Sequence, residues 1–184
     1  TQGMRVMARI LCKTWRCGGP ALALTQAMLL SSPAIQPSGP IPARYTSEGA
    51  NLSPPLAWSD VPEGTRSLAL VIDDPDAPDP RAPRRTWVHW VLYNLPPDVG
   101  ALPEAAASVG LPAGAREGLN DWESIGYGGP APPIGRHRYF HKLYALDIEL
   151  PRGGVLDKAE VERAMAGHIL AKAELVGTYQ KGGK

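Results

Sequence analysis

Twenty prolines and twenty glycines break up this chain of 184 residues, with no Gly-X-Y period among them. Proline has no amide donor and biases its predecessor away from helix, so a chain punctuated this often resolves into short strands joined by turns. The expectation is an all-β or β-rich fold. With 43% hydrophobic residues the chain is long and apolar enough to bury one sizeable core. Nineteen basic against eighteen acidic residues leave a formal charge of +1, which offers no broad electrostatic footprint for nucleic acid.

Three segments carry strand signals. The apolar "SLALVI" (Ser67–Ile72), bounded by turn residues, reads as a central strand. It runs into "VIDDPDAPDP" (Val71–Pro80), where Asp73, Asp74, Asp76 and Asp79 alternate with prolines. Read alone this is a solvated, rigid, extended turn holding four carboxylates together. In "TWVHWVLYNL" (Thr86–Leu95), alternation puts Trp87, His89, Val91 and Tyr93 on one face. In "HRYFHKLYALDIEL" (His137–Leu150), His137, Tyr139, His141 and Leu143 share a face, and Arg138, Phe140, Lys142 and Tyr144 share the other.

The pattern changes at "DKAEVERAMAGHILAKAEL" (Asp157–Leu175). Asp157 and Glu160 have capping-box spacing ahead of helix formers, with Val161 and Met165 on the core side. Gly167 is expected to bend or divide this helix, and "ELVGTYQ" reads as a short final strand.

Residues 1–28 form an N-terminal extension. Arg5, Arg9, Lys13 and Arg16 recur at helical spacing with Val6, Met7, Ile10 and Leu11 between them, which predicts a short amphipathic helix docked on the body. Lys13 and Arg16 interrupt the apolar centre that a signal peptide needs, and no run reaches the length of a transmembrane span. Cys12 and Cys17 are the only cysteines and lie before the regular part of the chain. A reduced, cytoplasmic setting is the simplest reading of that usage.

Polar groups therefore gather at strand ends: the carboxylates of "DDPDAP", His89, and the His137–Tyr139 pair after the Gly/Pro-rich loop Gly126–Gly135. "DPDAP" (Asp74–Pro78), "HWVLYN" (His89–Asn94) and "GYGGPAPPIGRHRY" (Gly126–Tyr139), in that order, resemble the phosphatidylethanolamine-binding protein family, also called Raf kinase inhibitor-like. "IPARYTSEGANLSPPLAW" (Ile41–Trp58), "YALD" (Tyr144–Asp147) and "GHILAKAELVGTY" (Gly167–Tyr179) are similar to its bacterial branch. The resemblance implies one domain over 29–184, mainly β. A large antiparallel central sheet would be flanked by a smaller sheet on one side and C-terminal helices on the other.

It also implies an anion pocket at one sheet end, formed by Asp74, Asp76, His89, Pro133, His137 and Tyr139, with Tyr179 as a looser member. Only Arg136 separates Gly135 from His137, a shorter connection than is usual in the family. The implied function is non-catalytic binding of a phosphate-bearing small molecule or phospholipid head group, without cofactor or metal. Modulation of a kinase or other signalling partner, and a homodimer, complete the expected partners.

The chemistry of the residue types sharpens these roles. Ionised aspartate only accepts hydrogen bonds, so Asp74 and Asp76 would orient an imidazole or receive an amine, and His137 would donate directly to phosphate. His141 is expected to serve sheet packing and His168 a structural role, while Arg81, Arg84 and Arg85 form a basic loop that could guide an anion. The alternatives are a metal-dependent hydrolase using the same Asp/His pocket and a protease inhibitor. Neither an H-E-x-x-H nor a G-x-S-x-G motif supports an enzyme.

Overall fold

The computed structural model describes residues 27–182. Its strands are β1 (Leu29–Ser31), β2 (Leu56–Ser59), β3 (Ser67–Asp74), β4 (Trp87–Leu95), β5 (Ala101–Leu102), β6 (Arg116–Glu117), β7 (Arg136–Leu146) and β8 (Ile169–Gln180). Two short helices, α1 (Ala106–Val109) and α2 (Lys158–Met165), complete the elements used below. Five strands form one antiparallel sheet in the order β6-β4-β3-β7-β8, and β1-β2-β5 form a smaller one. The expected mainly β architecture of a large and a small antiparallel sheet is what the chain adopts.

β3 is the middle strand and every one of its residues is buried. A strand covered on both faces must be apolar throughout, which is why "SLALVI" lacks alternation. Leu68, Leu70 and Ile72 pack with Trp90, Leu92, Tyr139 and Leu143 toward the small sheet, where Leu30, Leu56 and Trp58 meet them. On the opposite face Ala69, Val91, Tyr93 and Leu146 pack under Val161 and Met165 of α2. The predicted capping box is formed: the Asp157 carboxylate accepts from the Glu160 amide, and the Glu160 carboxylate accepts from the Asp157 amide.

Three local expectations need correction. β3 does not stop at Ile72 but continues through Asp73 and Asp74, so these two carboxylates lie in the sheet and not in the turn. α2 ends at Met165, Gly167 turns the chain with φ +82°, and β8 begins at Ile169. The Ala, Lys and Glu residues of Ile169–Leu175 favour helix by propensity, but pairing along β7 from Leu146↔Ile169 to Arg136↔Gln180 outweighs it.

The third correction concerns β4. Ile72 pairs with Trp90 while Asp73 pairs with Val88, so His89 is an extra residue in a β-bulge. The bulge breaks the alternation: Val88 joins Val91 and Tyr93 on the α2 side, and His89 turns to the small-sheet side, against Tyr139. The amphipathic helix expected over Met4–Trp15 lies outside the described residues, as do Cys12 and Cys17.

Candidate functional site at the Asp74 end of the central sheet

The cavity begins where β3 gives way to its proline-rich turn. The Asp74 carboxylate accepts the Asp76 amide at 2.8 Å, an Asx turn that aims the chain off the sheet. The Ala77 carbonyl then accepts the Arg84 amide at 2.9 Å and closes the loop. Across from it, the β4 bulge delivers His89, and β7 delivers His137 at its second residue. The Gly/Pro-rich loop forms the remaining wall, giving a cavity of about 300 Å³ lined by Asp74, Ala77, Pro78, Trp87, His89, Trp122, Ala131, Pro132, Pro133 and His137.

Two imidazoles face this space in different states of engagement. His137 is fully buried, with Nδ1 at 2.7 Å from the Asp74 carboxylate and Nε2 at 2.9 Å from the Ile134 carbonyl. A carbonyl only accepts, so Nε2 carries the hydrogen and His137 has no ring nitrogen to spare. The expectation that His137 donates directly to a ligand is therefore corrected: it anchors Asp74 to the loop. Burial raises the Asp74 carboxyl above its ordinary range, outweighing the hydrogen bonds from His137 and the Asp76 amide that lower it.

His89 is held once. Its Nδ1 donates to the Gly128 carbonyl at 2.6 Å, and the Gly128 amide returns a bond to the His89 carbonyl at 2.9 Å. Burial pushes the imidazole down to about 4, so it is neutral near pH 7, and its Nε2 is a lone-pair acceptor.

The bare backbone of the loop is used by the protein itself. A Cβ on Gly128 would meet the Trp122 ring at 2.4 Å, and one on Gly129 would meet the Asn51 side chain at 2.5 Å. Trp122 stands edge-on to both Trp87 and His89, with centroids 5.2 Å away in each case. It is placed by Asn120, whose side-chain oxygen accepts the Trp122 and Ser124 amides while its nitrogen donates to Gly126. Sequence reasoning passed over Trp122. It lies 33 positions after His89, in a segment with no strand or helix period, and only the Asn120 staple and the missing Gly128 side chain bring it to the cavity.

The expected site residues thus divide. Asp74, His89, Pro133 and His137 converge on one cavity. Asp76 does not line it, because its carboxylate is gripped by the Arg138 guanidinium at 2.9 and 2.7 Å and by the Arg138 amide at 2.9 Å. The guanidinium contact holds Asp76 below the usual carboxylate range. Tyr139 is buried behind the imidazoles, its ring 5.1 Å from His89 and stacked at 6.5 Å on His137, and burial raises its phenol.

Tyr179 is the register partner of His137, but its hydroxyl donates to Glu48 away from this cavity. His141 is buried and donates to the Leu175 carbonyl, and His168 contacts Asp147 at the surface. Arg81, Arg84 and Arg136 are exposed, whereas Arg85 binds Asp121 at 2.9 Å and lies over the Trp87 ring. Among the described residues no three His, Cys, Asp or Glu side chains converge as a metal ion requires. None of their helices is long and apolar enough to cross a membrane.

Comparison with known proteins places this geometry in a family. A "UPF0098 protein" of Methanothermobacter thermautotrophicus is 47% identical over 156 residues, covering 84% of this chain and 100% of the relative. One from Chlamydia trachomatis is 43% identical over 154 residues, covering 84% and 99%. Among solved structures, the phosphatidylethanolamine-binding protein homolog CT736 from Chlamydia trachomatis superposes with a TM-score of 0.77 at 44% identity, covering 84% of this chain and 98% of that one. Escherichia coli YbcL, described as a member of the mammalian PEBP family, gives 0.76 at 34% identity, covering 84% and 99%. The family model described as "Phosphatidylethanolamine-binding protein" matches residues 31–180, and the chain belongs to that family.

Proposed function

We propose that this protein is a non-catalytic binder of a phosphate-bearing small molecule or phospholipid head group, held in the cavity of Asp74, His89, His137 and Pro133. The observation that carries the reading is preorganisation. His89 and His137 are each fixed by a backbone carbonyl, Asp74 is fixed by the Asp76 amide, and prolines stiffen both walls. Little ordering remains to be done when a ligand enters. The exposed Arg81, Arg84 and Arg136 add a positive field at this end of the sheet. The Asp74 carboxylate suits the ammonium of an ethanolamine-like group. The volume of about 300 Å³ accommodates a head group.

Occupancy of this cavity is the means by which the protein would modulate a kinase or other signalling partner, and the cytoplasm is the setting proposed for it. Among the described residues no nucleophile faces the cavity with an adjacent base, so binding without turnover is the reading their side chains favour. Titration calorimetry with O-phosphorylethanolamine, followed by assay of the recovered ligand with and without added divalent cations, tests it. The expected result is one-to-one binding with the ligand recovered intact. Cation-dependent release of inorganic phosphate, lost in His89→Ala, would replace it with hydrolysis.

A further inference from the structure

We infer that a phosphate group enters this cavity together with one proton from solution, which comes to lie between a phosphate oxygen and Nε2 of His89. The inference rests on the phosphate reading above and adds the protonation state in which the site works. Hydrogen-bond capacity on the lining carries it. Both nitrogens of His137 are spent, on Asp74 and on the Ile134 carbonyl. Asp74 is taken up by Nδ1 of His137 and by the Asp76 amide, so it holds no free donor for a phosphate. Nδ1 of His89 is committed to the Gly128 carbonyl.

The remaining ring nitrogen, His89 Nε2, can change from acceptor to donor without breaking an existing bond. Against it an ionised phosphate oxygen would set lone pair against lone pair. A proton between the two converts that repulsion into a charge-assisted hydrogen bond, with Nδ1–H still on Gly128.

The surroundings of His89 are set for this change. Asp73 and Asp74 come from β3, Tyr139 and His141 from β7, and Asp121 and Trp122 from the loop beneath. Asp73 and Asp121 favour the charged ring, His141 opposes it, and burial outweighs them all, so the empty cavity keeps His89 neutral with its pKa down at about 4. An anion inside the cavity supplies the counter-charge that burial otherwise withholds. A phosphodiester stays a monoanion from about pH 5 to 8, so its proton must go to His89. A phosphomonoester can instead bring the proton as its own O–H.

The test is calorimetry of the whole chain with glycerophosphoethanolamine, a phosphodiester, at several pH values, each in two buffers of different ionisation enthalpy. The expected result is uptake of nearly one proton per ligand above about pH 6.5, with affinity falling roughly tenfold per pH unit toward pH 8. His89→Gln keeps an amide N–H for Gly128 but cannot be protonated, and it should bind weakly with no uptake and a flat profile.

If that variant does not fold, nitrogen NMR of the wild-type ring replaces it: Nε2 should change from an acceptor to a protonated signal on ligand addition at pH 7. Binding with no proton uptake and a flat pH profile overturns the inference and leaves the phosphate reading standing. Uptake that persists in His89→Gln overturns the assignment to His89. Failure of the phosphodiester to bind at any pH overturns the phosphate reading itself.

Discussion

Asp73 and Asp74 are consecutive carboxylates on one central strand, and the pleat sends them to opposite faces of the sheet. Asp73 points toward α2 and is gripped by two ammonium groups, Lys142 at 2.8 Å from β7 and Lys158 at 2.6 Å from the first turn of the helix. Asp74 points to the cavity, where its partners are one imidazole and one backbone amide. The first is a cross-brace between sheet and helix. The second is a fixed acceptor at the base of an open space. Residue type does not separate them, but the face of the strand and the capacity left over do.

The largest effect that can break this comparison is on stability. Asp73→Ala removes the counter-ion of two half-buried lysines and should destabilise the fold by about 3–5 kcal/mol in urea unfolding. Asp74→Ala, which strands one imidazole hydrogen bond, should cost about 1–3 kcal/mol. Equal losses in the two variants would mean that both faces are braces.

Acid tests the cavity face next. His89 and His141 are depressed from 6.5 to about 4 by burial. Between those values the unfolded chain binds more protons than the folded one, so stability is complete above about pH 6.5 and is lost as pH falls toward 4. Each histidine contributes up to about 3 kcal/mol to that loss. Asp74, raised by burial, works in the opposite direction and offsets part of it. Urea midpoints at pH 7 and 4.5 measure the sum, and His141→Gln should flatten the slope.

On the ligand side, Asp74→Ala should weaken glycerophosphoethanolamine by roughly tenfold to a hundredfold, the equivalent of one charge-assisted bond of about 1.5–3 kcal/mol. A neutral substitution behind the sheet, Lys142→Gln, should leave the affinity of the folded protein unchanged. The smallest effect belongs to Arg138→Ala. Its guanidinium is largely exposed, so losing the ion pair with Asp76 should cost about 1 kcal/mol or less, and ligand affinity should not move. A large loss of binding there would restore Asp76 to the site.

Much of the frame was legible because local and tertiary signals agree. The unbroken apolar run of β3 marks a strand covered on both faces, the Asp157–Glu160 box marks the start of α2, and ordered motifs point to the cavity walls. What stayed hidden depends on partners distant in the chain. Simple alternation gives His89 to the wrong face because the bulge exists only through pairing with Ile72 and Asp73. Arg138 is one residue past His137, yet its guanidinium folds back to occupy Asp76 and takes that carboxylate out of the cavity. The helix formers of β8 become strand because its continuous register with β7 outweighs their propensity.

The central claim, that one face of this strand end is a binding site and the other a brace, is tested most directly by mapping backbone amide shifts with glycerophosphoethanolamine added at about pH 6. The account predicts movement at Asp76, His89, Gly128 and Gly129, with Lys142, Lys158 and Glu160 unchanged. Shifts concentrated around Asp73 and Lys158, with the His89 and Gly128 amides still, would place the ligand behind the sheet and contradict it.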